Sequence, residues 1–142
     1  MNLRRCDVLI FVLEDNDERA KWFMEAFKDH KLVLANHVDV AMPILDTIKF
    51  DVLFLDHDLG NKAYVPVTEH NTGSTIANML RTSANKATPV VVHSWNCPAA
   101  KFMLELLRSH QHGAEVHHVL FGQFTKNILY NPIQDEGTVP IV

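Results

Sequence analysis

Residues 8–23 read VLIFVLEDNDERAKWF. The apolar run Val8–Leu13 has no polar alternation, the pattern of a strand buried on both faces. Glu14, Asp15, Asn16 and Asp17 follow as an acidic turn. The chain then becomes amphipathic over Glu18–Lys28, with Trp22, Phe23, Ala26 and Phe27 on one side and Arg19, Lys21, Glu25 and Lys28 around the rest. A buried strand, an acidic turn and a helix in immediate succession are the opening of an α/β unit.

The same alternation recurs along the chain. Apolar runs at Cys6–Leu13, Lys31–Ala35, Asp51–Leu55, Pro89–His93 and Val116–Leu120 read as strands. Helices are expected at Asp39–Ile48, with Asp39 as N-cap and Pro43 tolerable only near the first turn; at Thr72–Leu80, capped by Thr72; and at Pro98–Leu107, capped by Asn96 or Cys97. The β-α-β-α-β-α-β-α-β order predicts the α/β class: a three-layer fold with a five-stranded parallel sheet and right-handed crossovers. A fifth helix near Gln123–Tyr130 would be short or missing. The reading is one domain over 1–142, with a core at about 6–120 and a C-terminal extension at 121–142.

Of the 142 residues, 47% are hydrophobic and 21% charged, a globular balance. Two cysteines, Cys6 and Cys97, without CxxC spacing give no disulfide framework and point to a reducing compartment. Nothing resembles a signal peptide or a membrane span, so the expected location is the cytoplasm, of a bacterial or phage-infected cell. A formal charge of −4, with no Lys/Arg block, argues against binding duplex nucleic acid through backbone charge, but not against processing a nucleotide end. No membrane partner is expected, and the oligomeric state is open. Nine histidines leave room for acid–base or metal chemistry.

Open α/β sheets bind ligands beyond the carboxyl ends of their strands. There this chain places Glu14 and Asp15 after strand one; Asp56, His57 and Asp58 after strand three; and His93, Ser94, Trp95 and Asn96 at the end of strand four. Acids this close coexist only if one is protonated or a cation lies among them. Oxygen ligands suit Mg²⁺, Mn²⁺ or Ca²⁺, and an adjacent imidazole moves the preference toward Mn²⁺ or Zn²⁺. Helix N-termini favour acids for their own reasons, which accounts for Asp17 and Glu18.

The segments VLIFVLEDNDERAKWF, FDVLFLDHDLG and PVVVHSWN resemble the receiver domain of two-component response regulators, over about residues 6–120. The resemblance implies a flavodoxin/receiver-like fold and places Glu14 and Asp15 at the acidic pair, Asp56 at the phosphoacceptor and Ser94 at the Ser/Thr position. It fails after strand five: where a receiver has a lysine, this chain reads VHHVLFGQF, and the nearest lysine is Lys126. LDHDLG at 55–60, Arg19, Thr72-Gly73 and HSWN at 93–96 are instead similar to the cyclic-phosphate processing receiver domain. That resemblance implies phosphoesterase action on cyclic phosphates, with a cyclic nucleotide or a 2′,3′-cyclic phosphate RNA end as substrate partner.

Such chemistry needs an activated water, charge neutralisation and a proton for the leaving oxygen. The expected catalytic set is Asp56, His57, His93 and Ser94, with His57 and His93 as base and acid. The expected substrate contacts are Asn96, Thr72, Gly73, Arg19 and Trp95, with Gly73 letting a ligand approach the backbone. A divalent metal, Mg²⁺ or Mn²⁺, would sit on Asp15 and Asp56 with Glu14 and Asp58. Each role has a structural counterpart: His57 capping its loop, His93 as a buried strand-end imidazole, Asp58 holding the Leu59–Gly60 turn, Arg19 in a helix salt bridge and Trp95 packing its loop. The alternative reading is a catalytically inactive receiver-like binding or regulatory module. The loop Leu59–Asn71 is longer than α/β connections usually are, and is expected to cover the site.

Overall fold

The computed structural model describes Leu3, residues 7–110 and residues 115–129. Strands β1 (Leu9–Leu13), β2 (Lys31–Ala35), β3 (Val52–Leu55), β4 (Val90–Val92) and β5 (Val116–His118) form one sheet in the order β2-β1-β3-β4-β5, every pair parallel. Helices α1 (Asp17–Ala26), α2 (Val38–Thr47), α3 (Gly73–Met79) and α4 (Cys97–His110) complete three layers. The strand order reverses direction at β1 and β3, which opens a crevice beyond their carboxyl ends.

Period-two alternation sorts each strand between the two faces. Phe11, Leu13, Leu53, Leu55, Val90 and Val92 point to the face covered by α2, α3 and α4. Ile10, Val12, Val52, Phe54 and Val91 point to the other, covered by Phe23 and Phe27 of α1 together with Val119, Phe124, Ile128 and Leu129. The residues after β5 therefore belong to the core. A 3₁₀ turn at Lys126–Leu129 stands where a fifth helix would lie, and Leu3 N–H donates to the Leu129 carbonyl at 2.9 Å. Core packing thus runs nine residues past the expected limit at 120, because apolar area on this face needs a cover and Phe124, Ile128 and Leu129 supply it. Residues 130–142 and Cys6 lie outside the described residues.

Several local expectations change. The cap of α2 is His37, whose Nδ1 accepts the Asp39 N–H at 3.0 Å; the Asp39 carboxylate instead lies 2.8 Å from His70 Nε2. Pro43 sits in mid-helix on an exposed position, beyond the first turn. Thr72 holds the N-cap position of α3 without a capping bond, its hydroxyl donating to the Glu69 carbonyl at 2.9 Å. Asn96 caps α4: its Oδ1 accepts from Ala99 N–H at 3.3 Å. No helix among the described residues is long and apolar enough to cross a membrane.

Candidate functional site: a carboxylate–imidazole rung beneath a polar cleft

Leu13, Leu55 and Val92 are direct partners across β1, β3 and β4. The next residue on each strand is therefore Glu14, Asp56 and His93, one rung of the sheet continued past its edge. These positions share parity with Val12, Phe54 and Val91, so their side chains go to the face packed by α1. All three are buried, and each offers a ligand atom within 4.8 Å of the others.

Glu14 is held firmly. Its Oε2 accepts the N–H groups of Asp15 and Asn16, both at 3.1 Å, and its Oε1 lies 3.1 Å from His93 Nε2. Burial alone would raise its pKa, but the His93 hydrogen bond and the nearby charges outweigh that and hold it below the usual value. Asp56 goes the other way. Only 2% exposed, it is pushed up to about 6, chiefly by burial, with the Glu14 charge adding and His93 and Arg19 opposing. One Asp56 oxygen accepts the His57 N–H at 2.8 Å.

Arg19, from the first turn of α1, reaches over both acids: Nε is 3.2 Å from Glu14 Oε1 and Nη2 is 3.6 Å from Asp56 Oδ2. Its guanidinium lies 5.7 Å from the centre of the Phe121 ring. Among the described residues, three buried side-chain atoms have no hydrogen-bond partner: Arg19 Nε, Asp56 Oδ2 and His93 Nδ1. All three belong to this one cluster. Buried polar atoms are rarely left so, and two carboxylates with an imidazole are a donor set that fits a divalent ion. The imidazole favours Mn²⁺ or Zn²⁺ relative to an all-oxygen site.

Above this rung a cleft of about 210 Å³ is lined by Arg19, Asp56, Asp58, Ser94, Trp95 and Asn96 at the strand ends and by Lys62, Ala63 and Tyr64 of the long loop. Trp95 is 54% exposed and lines the cleft wall. Ser94 Oγ accepts the Asn96 N–H at 3.0 Å, which leaves its own proton free to donate, and the Ser94 carbonyl is fixed by His118 Nε2 at 3.0 Å.

The other expected residues build the loop. Asp58 accepts the N–H groups of Tyr64 (2.8 Å) and Val65 (3.0 Å) and the Asn96 amide (3.0 Å). Asp15 accepts the Asn61 N–H, 2.6 Å away. Both carboxylates accept N–H groups of the loop, and among the described residues the acids and imidazole whose ligand atoms lie within 4.8 Å of one another are Glu14, Asp56 and His93. His57 is fully buried, with Nε2 at 2.8 Å from the Val65 carbonyl and Nδ1 at 2.9 Å from Ser74 Oγ. Burial pushes its pKa down, and neither nitrogen is left for acid–base work. Thr72 is buried, and a side chain at Gly73 would meet the Asp56 carbonyl oxygen at 1.8 Å. The close approach at Gly73 is that of helix to strand end, not of a ligand to backbone.

Lys62, Tyr64 and Phe121 were not among the expected site residues. The loop's length is the signal for the first two. Phe121 follows β5 closely, in the stretch where the resemblance to receivers fails.

The model of the cyclic-phosphate processing receiver domain matches residues 4–109. The chain belongs to that family. Its fold is similar to the chemotaxis response regulator CheY4 of Vibrio cholerae (TM-score 0.64, 15% identity, 90% of this chain and 97% of that one). A Burkholderia pseudomallei response regulator, with a phosphorylated aspartic acid, calcium ion and citrate, aligns with TM-score 0.64 and 18% identity over 87% of this chain and 65% of that one. The Mn²⁺-bound form of response regulator Rcp1 gives 0.58 and 18% over 93% and 96%. At these identities the likeness is one of fold. No curated protein sequence matches.

Proposed function

We propose that this cyclic-phosphate processing receiver is a phosphoesterase that hydrolyses a cyclic phosphodiester, with a cyclic nucleotide or a 2′,3′-cyclic RNA end as substrate. The observation that carries the reading is Asp56: a buried carboxylate with an unpartnered oxygen, poised near neutrality, in the wall of a cleft that also carries Arg19, Lys62 and Ser94. A general base works best with a pKa near the working pH, so Asp56 takes the proton from the attacking water. Arg19 and Ser94 donate to the non-bridging phosphate oxygens, the guanidinium fork matching phosphate geometry. The departing ring oxygen takes its proton from solvent at the open cleft, and Lys62 on the rim adds positive charge beside the phosphate.

A divalent ion held by Glu14, Asp56 and His93 would hold Asp56 ionised as a ligand, would itself supply the activation of water in place of that base, and would add positive charge against the dianionic transition state. The His93–Glu14 contact holds that frame in place. Trp95 and the 80%-exposed Tyr64 form the rim, where a nucleobase stacks. Tyr64 and Asn96 also line a second, more apolar groove of about 460 Å³ with Val65, Pro66, Pro98 and Phe102, which extends the surface open to the substrate's organic part.

A receiver that stores a phosphoryl group would need a cation after β5. Among the described residues the first lysine there is Lys126, while Phe121 lies against Arg19 and His93. Phosphorus NMR of 2′,3′-cyclic nucleotides incubated with the chain separates ring opening from mere binding. Unchanged spectra beside clear binding would favour the inactive module.

A further inference from the structure

We propose that Arg19 is a resident counter-cation that competes with the divalent ion, so that metal binding requires the guanidinium to leave the Glu14–Asp56 pair. This rests on the reading above, in which Glu14, Asp56 and His93 hold the ion.

The frame and the counter-ion are held differently. Glu14 is tied by two backbone N–H groups and by His93, while Asp56 is anchored through the His57 N–H. Arg19 approaches the same two carboxylates at 3.2 and 3.6 Å, yet its Nε and the facing Asp56 Oδ2 make no hydrogen bond. A structural arginine–carboxylate pair is commonly bidentate and directional; this one supplies charge without a lock. The arginine side chain is 26% exposed, has the Phe121 ring beside it and lines the cleft wall, so it has room to move toward solvent.

A dication bound to both carboxylates would face the guanidinium at a distance of a few ångströms, and like charges so placed oppose each other. One cation therefore excludes the other. A displaced guanidinium remains at the cleft wall, where its donors meet the phosphate. Arg19 in this role partly neutralises the carboxylate pair before metal arrives and couples metal entry to phosphate entry.

The test titrates Mn²⁺ alone, without nucleotide, into the wild-type chain, R19M, R19K and E14Q, following free Mn²⁺ by electron paramagnetic resonance. R19M is expected to bind Mn²⁺ more tightly by about tenfold or more, within the usual range of coupling between ligands. R19K, which keeps the charge on a more compact and more strongly hydrated group, should fall between R19M and wild type, and E14Q should lose binding. Equal or weaker affinity in folded R19M overturns the competition while leaving the metal site standing. If R19M fails to fold, R19K decides, and wild-type affinity there overturns the inference. Absence of Mn²⁺ binding in both wild type and R19M overturns this inference and the metal assignment together.

Discussion

The imidazole of His57 donates from Nε2 to the carbonyl of Val65, 2.8 Å away. A carbonyl only accepts, so Nε2 carries the proton and Nδ1 is the acceptor for the Ser74 hydroxyl. The ring is a neutral strut between the long loop and α3. Replacing it, as in His57→Phe, leaves the Ser74 hydroxyl without this partner and the Val65 carbonyl with only the Asn96 amide, 3.3 Å away, and should cost about 1–3 kcal/mol. Because burial lowers the folded pKa, the unfolded chain binds the proton more readily. The stabilisation is present above the usual value of 6.5 and is lost as pH falls below it toward the depressed folded value. Thermal melts of wild type and H57F between pH 5 and 8 check this: the gap should be widest at the alkaline end. A gap that widens toward pH 5 would show that the ring is held charged.

Asp56 has the opposite sign. Its folded pKa stands at about 6 against the usual 3.8, so the fold favours the protonated acid. That contribution is complete below pH 3.8 and is lost as pH rises through 6. The ionised form is therefore strained at neutrality, by up to about 3 kcal/mol for a displacement of this size. Asp56→Asn should match wild type near pH 4 and be the more stable chain at pH 7.5 in EDTA, while losing catalysis. Equal melting temperatures at pH 7.5 would contradict the buried state, only partly compensated by Arg19 and His93, assigned to this carboxylate.

Gly73 carries a structural prediction. A Cβ there would lie 1.8 Å from the Asp56 carbonyl oxygen, a backbone atom fixed by the sheet. Gly73→Ala forces α3 away from β3 and should destabilise the chain by about 3 kcal/mol or more, as overpacking at a rigid contact does. Urea unfolding measures it, and a loss under 1 kcal/mol would mean that α3 can shift freely.

Trp95, half exposed at the cleft rim, should act on substrate and not on stability. Trp95→Ala is expected to leave the melting temperature within about 1 °C, since exposed substitutions away from special features change stability little. It should raise KM for a cyclic nucleotide about tenfold, the lower range of a lost base stack. A cyclic phosphate without a base should be insensitive to the change. Equal effects on both substrates would place Trp95 at the phosphate.

The order of elements and the edge that carries the site were legible because apolar runs and acidic turns follow directly from strand burial and helix capping. The division of labour among the acids was not. Glu14 and Asp15 are adjacent, and composition gives no reason to choose between them. Strand register does: Glu14, Asp56 and His93 are one rung beyond the paired Leu13, Leu55 and Val92, and parity sends them to one face. Asp15 and Asp58 went to the loop because its N–H groups needed acceptors, a demand visible only once the loop has a path. The packing of residues 121–129 was missed because a short 3₁₀ turn has little periodicity, although Phe124, Ile128 and Leu129 bury as a helix would.

The most direct test of the central claim is phosphorus NMR of a 2′,3′-cyclic nucleotide panel with the wild-type chain in EDTA, Mg²⁺ and Mn²⁺, beside Asp56→Asn. The account predicts ring opening to a single monoester isomer, fastest with Mn²⁺, reduced in EDTA and absent in the variant. Ring opening that survives Asp56→Asn, or none in any condition while the nucleotide still binds, would contradict it.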